Sequence, residues 1–372
     1  MDFELTEEQQ MLREAVRDLL TKAYDVESVR KVTDTELGWS PDVWKQLAEM
    51  GILGLTIDEE NGGAGAGPIE ASIVLGELGR SLAPEPYLDA VVLPASILSA
   101  TGDAAAAELL QGLASGELLI ALAHNEPGDR WPSAAVATTA TGDGDSITLT
   151  GTKAPVLHGD CANKFIVSAR SGDAIGLYLV DAEATGLSRS NFRTHDRRRG
   201  AQVTFDNTPA VKLAGDAASI LADAEITTQT ALCAEAVGAM EKSLALTVEY
   251  LKTRKQFGVT LSTFEALTHR AADMYVLLEL ASSLSLYATA RLAEGSSDAI
   301  TASRAKLQIC RSARTIGQEA IQMHGGIGMT AEYPVGHYVS RLTAISHTLG
   351  GADEHLAKLT QSVRDWDMVS PV

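Results

Sequence analysis

Two short stretches in the second half of the chain carry residue types that could hold a ligand. The first, Thr253-Arg254-Lys255-Gln256-Phe257-Gly258, closes a long run of helical spacing, so Arg254 stands at a helix carboxy end. A guanidinium there suits a diphosphate, because its planar fork makes paired, charge-assisted hydrogen bonds. Phe257 beside it can pack on an aromatic ring. The second stretch, Gln322-Met323-His324-Gly325-Gly326-Ile327-Gly328-Met329, supplies three glycines. Glycine lets backbone approach a bound group closely and accepts φ > 0. The plain structural readings are a helix-end cation favoured by the helix dipole and a glycine helix stop.

These stretches need long elements to position them, and the periodicity supplies them. Cys233, Val237, Met240, Leu244, Val248 and Leu251 step by four or three along one helix, and Ala302, Ala305, Ile309, Ala313, Ile316 and Ala320 do the same along another. Alanine at so many positions permits close helix packing. Upstream, Thr6 with Gln9 reads as a capping box, and helices are expected over 69–80 and 104–114, with Gly62, Gly63, Gly65 and Gly67 marking a turn. Between the helical parts, SITLTG behind GDGD signals a hairpin, and KFIVSA, IGLYLV and AQVTF read as short strands. The pattern divides into helices over 1–117, an antiparallel β domain over 118–214 and a helical bundle over 215–372.

Composition narrows the partners. With 30 basic and 49 acidic residues the formal charge is −19, which lacks the basic footprint that nucleic acid or an anionic membrane surface demands. Cys161, Cys233 and Cys310 are odd in number and unpaired in spacing, so neither a disulfide framework nor a zinc site is expected. The acidic opening MDFELTEEQQ is unlike a signal peptide. No uninterrupted apolar run reaches membrane-spanning length, so a cytoplasmic protein without membrane insertion is expected.

Read jointly, the two motifs, the opening MDFELTEEQQMLREAVRDLL, and GILGLTIDEENGGAG with LGELGRSLA resemble the acyl-CoA dehydrogenase family over nearly the whole chain and in the same order. The resemblance implies a mainly α fold with a central antiparallel β domain, between a helical amino domain and a carboxy-terminal four-helix bundle. It implies FAD, contacted by Arg254, Gln256, Phe257, Gln322, Gly325, Gly326 and Gly328. It also implies dimers paired into tetramers, α,β-dehydrogenation of an acyl-CoA thioester, and electron transfer to an electron-transfer flavoprotein.

The chain departs from the family where the chemistry is done. The family's catalytic carboxylate stands in a loop resembling Y-E-G-T-S-Q, which here falls on Leu349 or Gly350, or on the first bundle helix, which here falls on Thr228. None of these can take a proton at neutral pH. Glu235, Glu225 and Asp353 are the nearby acids, each weighed against a structural or solvated role. The flavin-contacting T-E-P-G-x-G-S-D is represented by Asn125-Glu126-Pro127-Gly128-Asp129-Arg130. The W-I-T segment is represented by Ala154 to His158, where Pro155 brings no N–H. His158 could donate in its place, though a lone loop histidine is more often solvated. The basic run Arg197-Arg198-Arg199, with Arg193, reads either as steering for CoA phosphates or as a turn paired with acids of a neighbouring domain.

In the family, the retained motifs reach the FAD of the partner subunit, whereas the altered ones serve the subunit's own. The first reading is therefore a subunit of a heterotetramer that completes the FAD site of a homologous, base-carrying subunit, as in bacterial steroid and lipid catabolism. The second is an independently active homotetramer with an unusual base. The third is a non-catalytic binding or scaffold subunit.

Overall fold

The computed structural model describes residues 5–103, 105–131 and 136–363. Residues 1–4 of the opening stretch, Ala104 at the expected helix start, and the tail from 364 lie outside the described residues. The amino-terminal part is helical: α1 (Glu7–Ala23), α2 (Val26–Asp34), α3 (Pro41–Glu49), α4 (Pro68–Ser81), α5 (Leu93–Thr101) and α6 (Ala106–Ser115). Thr6 and Gln9 form the expected capping box, each satisfying the other's backbone N–H.

Eight strands follow: β1 (Ile120–Ala123), β2 (Thr139–Thr141), β3 (Thr148–Leu157), β4 (Lys164–Ser171), β5 (Ala174–Asp181), β6 (Leu187–Arg193), β7 (Arg199–Pro209) and β8 (Val211–Lys212). They form one sheet in the order β6-β7-β3-β2-β4-β5-β8, with β1 beside β4. Most pairs are antiparallel, but β1 and β2 both run parallel to β4, so the sheet is mixed where the sequence suggested antiparallel pairing throughout. The cause is the chain's entry. Leu119 is pinned to Asn163 by backbone and side-chain bonds, which starts β1 level with β4. Two intervening strands make the long crossover that parallel pairing requires.

The carboxy-terminal part contains α7 (Ala217–Thr253), a hairpin of β9 (Lys255–Gln256) and β10 (Val259–Thr260), then α8 (Glu265–Ala293), α9 (Ala299–His324), α10 (Val335–His347) and α11 (Ala352–Ser362). Helix α9 is the hub, touching α7, α8, α10 and α11, while α7 also packs on α4 of the amino-terminal part. Alanines line the α7 and α9 cores as expected, but glycine makes the closest crossing. A Cβ on Gly238 would lie under 3.0 Å from the Gly76 carbonyl oxygen, and one on Gly79 equally close to that of Glu235. Backbone therefore rests on backbone where α4 crosses α7.

Among the described residues, α8 is long and apolar enough to cross a membrane by length and composition. In this fold it lies against α7 and α9, with Tyr275, Val276, Leu280 and Tyr287 exposed along its outer side. The sequence reading missed this because it looked for an unbroken apolar run.

The α4–α7 crossing gives a direct test. Gly238→Ala introduces one methyl that neither backbone can avoid, so overpacking is expected to cost about 1–3 kcal/mol in urea unfolding. An unchanged midpoint would show that the helices can separate freely.

Candidate functional site

The two motifs, nearly seventy residues apart in sequence, meet at one end of the bundle. Tyr250, in the last turn of α7, stacks on His324, the last residue of α9, with ring centroids 4.5 Å apart. The His324 Nε2 lies 3.2 Å from the Tyr333 hydroxyl, and Tyr333 meets Tyr250 edge-on at 6.1 Å. This aromatic trio ties the helix ends that carry Arg254 and Gly325. No spacing rule pointed to it, since its members belong to three separate segments.

At this end the expected ligand residues face outward. Arg254 caps α7, its N–H donating to Tyr250 O at 2.8 Å, and its exposed guanidinium has no hydrogen bond or ion pair among the described residues. Gln256 and Gln322 are exposed as well. Phe257 and Gly258 form the two-residue turn between β9 and β10, and both have φ > 0, at 53° and 81°. Such hairpin turns favour two φ > 0 residues, yet a bulky side chain there is strained. Phe257 is nonetheless 90% exposed.

The glycines divide by cause. Gly325 ends α9 at φ 64° as a helix stop. Gly328 is crowded by the His324 Cβ at 3.0 Å. Gly326, by contrast, has neither a positive φ nor any atom within 4 Å of a Cβ placed on it. Among the described residues, nothing calls for glycine at that position.

The two alternative base positions converge elsewhere. Thr228 of α7 and Leu349, in the loop between α10 and α11, line one cavity of about 170 Å³. Gly350 is not in its lining; a Cβ there would strike the ring of Trp131. Asp89, His124, Asn125, Pro155 and Glu225 complete much of the wall. The His124 Nδ1 is 2.8 Å from the Ser168 hydroxyl, which also accepts a bond from Lys153 Nζ at 3.2 Å. Its remaining partner among the described residues is His124, so the hydroxyl proton is directed to Nδ1, and Nε2 carries the ring proton. Burial, with Lys153 nearby, holds His124 below its usual pKa and therefore neutral. The sequence reading passed over His124 because neither of its partners is local.

The three substitute acids separate sharply. Glu235 is buried and fully engaged: Arg341 binds both its oxygens at 2.8 and 2.6 Å, and Arg198 binds Oε1 at 2.6 Å. Arg341 also donates to Asp196 at 2.7 Å. Burial raises the Glu235 carboxyl, but Arg198 and Arg341 outweigh it and hold it below the ordinary range. Asp353 is exposed at the start of α11 and lines a different cavity. Only Glu225 reaches the cavity of Thr228 and Leu349. It accepts from Gln229 Nε2 at 2.9 Å, and burial raises its carboxyl above the usual pKa.

Two further departures resolve in the packing. His158 is not solvated: it is 2% exposed and pairs with Asp89 at 3.1 Å, because a buried carboxylate requires a partner. The basic turn joins domains. Arg193 and Arg197 bind Asp34 of α2, Arg198 binds Glu235 of α7, and Arg199 donates to the carbonyls of Thr33 and Thr35.

The model of the acyl-CoA dehydrogenase N-terminal domain matches residues 6–117, and that of the C-terminal domain matches residues 227–362. The chain is 33% identical to acyl-CoA dehydrogenase IpdE2 of Mycobacterium tuberculosis, over 96% of this chain and 98% of that protein. It is 28% identical to acyl-CoA dehydrogenase FadE27 of the same organism, over 98% and 99%. Among solved structures, it resembles a chain of a variant of the Tcur3481–Tcur3483 steroid ACAD, with 33% identity, coverage of 96% and 98%, and a TM-score of 0.89. It also resembles a chain of the ChsE4–ChsE5 complex from Mycobacterium tuberculosis, with 26% identity, full coverage of both chains and a TM-score of 0.90.

The charge cluster predicts an acid limb. Arg341 and Arg198 outweigh the burial that raises Asp196, bringing its folded pKa to about 2, against about 3.9 in an unfolded chain. A depressed carboxylate stabilises above its unfolded pKa and loses that contribution as pH falls, here between about 4 and 2. Arg341→Met is expected to cost about 3–5 kcal/mol at pH 7 in urea unfolding and to flatten that acid limb. A loss under about 1 kcal/mol would contradict the coupling.

Proposed function

The chain belongs to the acyl-CoA dehydrogenase family, and on that premise we propose that it is the subunit of a two-component dehydrogenase that completes the FAD site of a related, base-carrying subunit. The observation that carries this reading is the contrast between its two sites. The bundle end presents a free guanidinium and a strained, 90% exposed Phe257, while the cavity of the base positions is walled by Thr228 and Leu349. A bulky residue in a left-handed turn costs on the order of 1–3 kcal/mol, a cost that contact with a partner's ligand can offset. The exposed apolar residues of α8 suit burial against another subunit as well.

In this reading Arg254 holds the FAD diphosphate across the subunit boundary, and Gln256 and Gln322 add polar contacts. Phe257 packs on an aromatic ring of the group, and Gly325, Gly326 and Gly328 let backbone approach it. The open space at Gly326 is the fit test, since a side chain there would meet only something brought from outside. The bound FAD would supply a hydride acceptor for the β-hydrogen of an acyl-CoA, and the partner would supply the base for the α-proton. The 33% identical steroid ACAD points to a steroid-derived acyl-CoA as the pair's substrate, and electrons leave to an electron-transfer flavoprotein.

Coexpression with a related chain bearing glutamate at the Leu349 or Thr228 position tests the proposal. Purified pairs are expected to hold one FAD, and Arg254→Ala is expected to lower that occupancy at least tenfold in free-FAD titrations. Two FAD per pair, or full retention in Arg254→Ala, would refute it. Phe257→Gly relieves the turn and is expected to leave the lone chain as stable or more so, while FAD occupancy of the pair falls. Destabilisation of the lone chain would mean that Phe257 serves its own fold.

One observation favours a second reading, an independently active chain: Glu225 shares the cavity with Thr228 and Leu349. It requires the lone chain to bind FAD and bleach it on mixing with acyl-CoA, and Glu225→Gln to abolish the bleaching.

A further inference from the structure

The segment Asn125 to Arg130 continues into Trp131, which stands where the family pattern T-E-P-G-x-G-S-D has its serine. The segment is firmly based. Glu126 accepts bonds from the backbone N–H of Ala137 and Thr138, each at 2.8 Å, and from Lys153 Nζ at 2.8 Å. From that base the indole reaches the carboxy-terminal loop. It stacks on His355 of α11 with centroids 4.5 Å apart and lies 5.0 Å from Lys358 Nζ on the same helix. It also covers Gly350, where any Cβ would fall under 3.0 Å from the ring.

The loop beneath the indole is pinned in turn. His355 Nε2 is 3.0 Å from Leu349 O and, among hydrogen-bond partners there, can only donate to it. Buried Lys306 donates to Ile345 O at 2.8 Å and Gly350 O at 3.2 Å. The indole and the loop thus form one packed unit with anchors on both sides.

In the resemblance, the segment at 125–131 and the loop at 349–353 are the two walls of the subunit's own flavin site. Here those walls touch through Trp131. The neighbouring cavity of about 170 Å³ takes Asn125 and Leu349 into its lining and is open on one side; the indole stands outside it, in the cleft between the two walls, against His355 and Gly350.

We propose that Trp131 sets which subunit of the pair holds flavin: its indole fills the cleft between the β-domain segment and the start of α11, and so excludes FAD from this chain's own side. The inference rests on the partner-completing function above, and deepens it by naming the residue that makes the pair asymmetric. Leu349 and Pro155 remove the chemistry of the site, whereas Trp131 removes its room.

The test is FAD stoichiometry of the coexpressed pair, read by flavin absorbance against protein during titration with free FAD. Trp131→Ser and Trp131→Ala are two independent truncations, each checked for fold by circular dichroism and for assembly by size-exclusion chromatography. The expected result is a second, weaker equivalent of FAD in either folded truncation, with the first unchanged, while Trp131→Phe stays at one because a ring still fills the cleft. A folded, assembled truncation that stays at one equivalent at saturating FAD overturns the proposal. Failure of the parent reading looks different, because the wild-type pair would then hold none or two before any substitution.

Discussion

The structure depends on the charge cluster built around Glu235. One buried carboxylate lies between Arg198 of the β6–β7 turn and Arg341 of α10, with Asp196 on the far side of Arg341. These groups come from the β domain and from two bundle helices. Burying such charges is costly unless all are paired, so the three segments must come together in one arrangement. The same turn reaches the amino-terminal helices through Arg193, Arg197 and Arg199, and α4 lies backbone to backbone on α7 close to Glu235. Glu235 is thus a structural anchor, and its proximity to Thr228 in sequence has no catalytic meaning.

With the segments so fixed, the two sets of residues that the resemblance assigns to flavin face different ways. The motifs of the bundle end point outward, held by Tyr250, His324 and Tyr333, and their most exposed member occupies a strained turn. The inward half is built differently: Leu349 and Thr228 line a small cavity, His158 is taken up by Asp89, and Trp131 touches both the 125–131 segment and the loop at Gly350. Phe257 sits at φ 53° and is 90% exposed, touching Phe264 edge-on at 6.2 Å while most of its ring stays uncovered. In the proposed function another molecule supplies the contacts that offset the cost of this turn.

The sequence determined a good deal by itself. Helical and strand periodicities are local, so the order of helices, sheet and bundle was legible, as were the capping box at Thr6 and the placement of Arg254 at a helix end. Side-chain chemistry is also local. That threonine, leucine or glycine stands where the family has its carboxylate is what the resemblance of the sequence implies.

Tertiary structure decided whatever depends on pairing across distance. It brought Arg254 and Gly325 to one end of the bundle, chose Leu349 over Gly350 as the residue facing the cavity, and made β1 and β2 parallel to β4. It separated Glu235, Glu225 and Asp353 into a buried ion pair, a cavity wall and an exposed helix start, though all three are acids in helical segments. It also turned Trp131, silent in the sequence, into the contact between two walls. The physical reason is common to these cases: an acid's protonation, a glycine's necessity and a ring's neighbours are set by burial and by partners tens to hundreds of residues away.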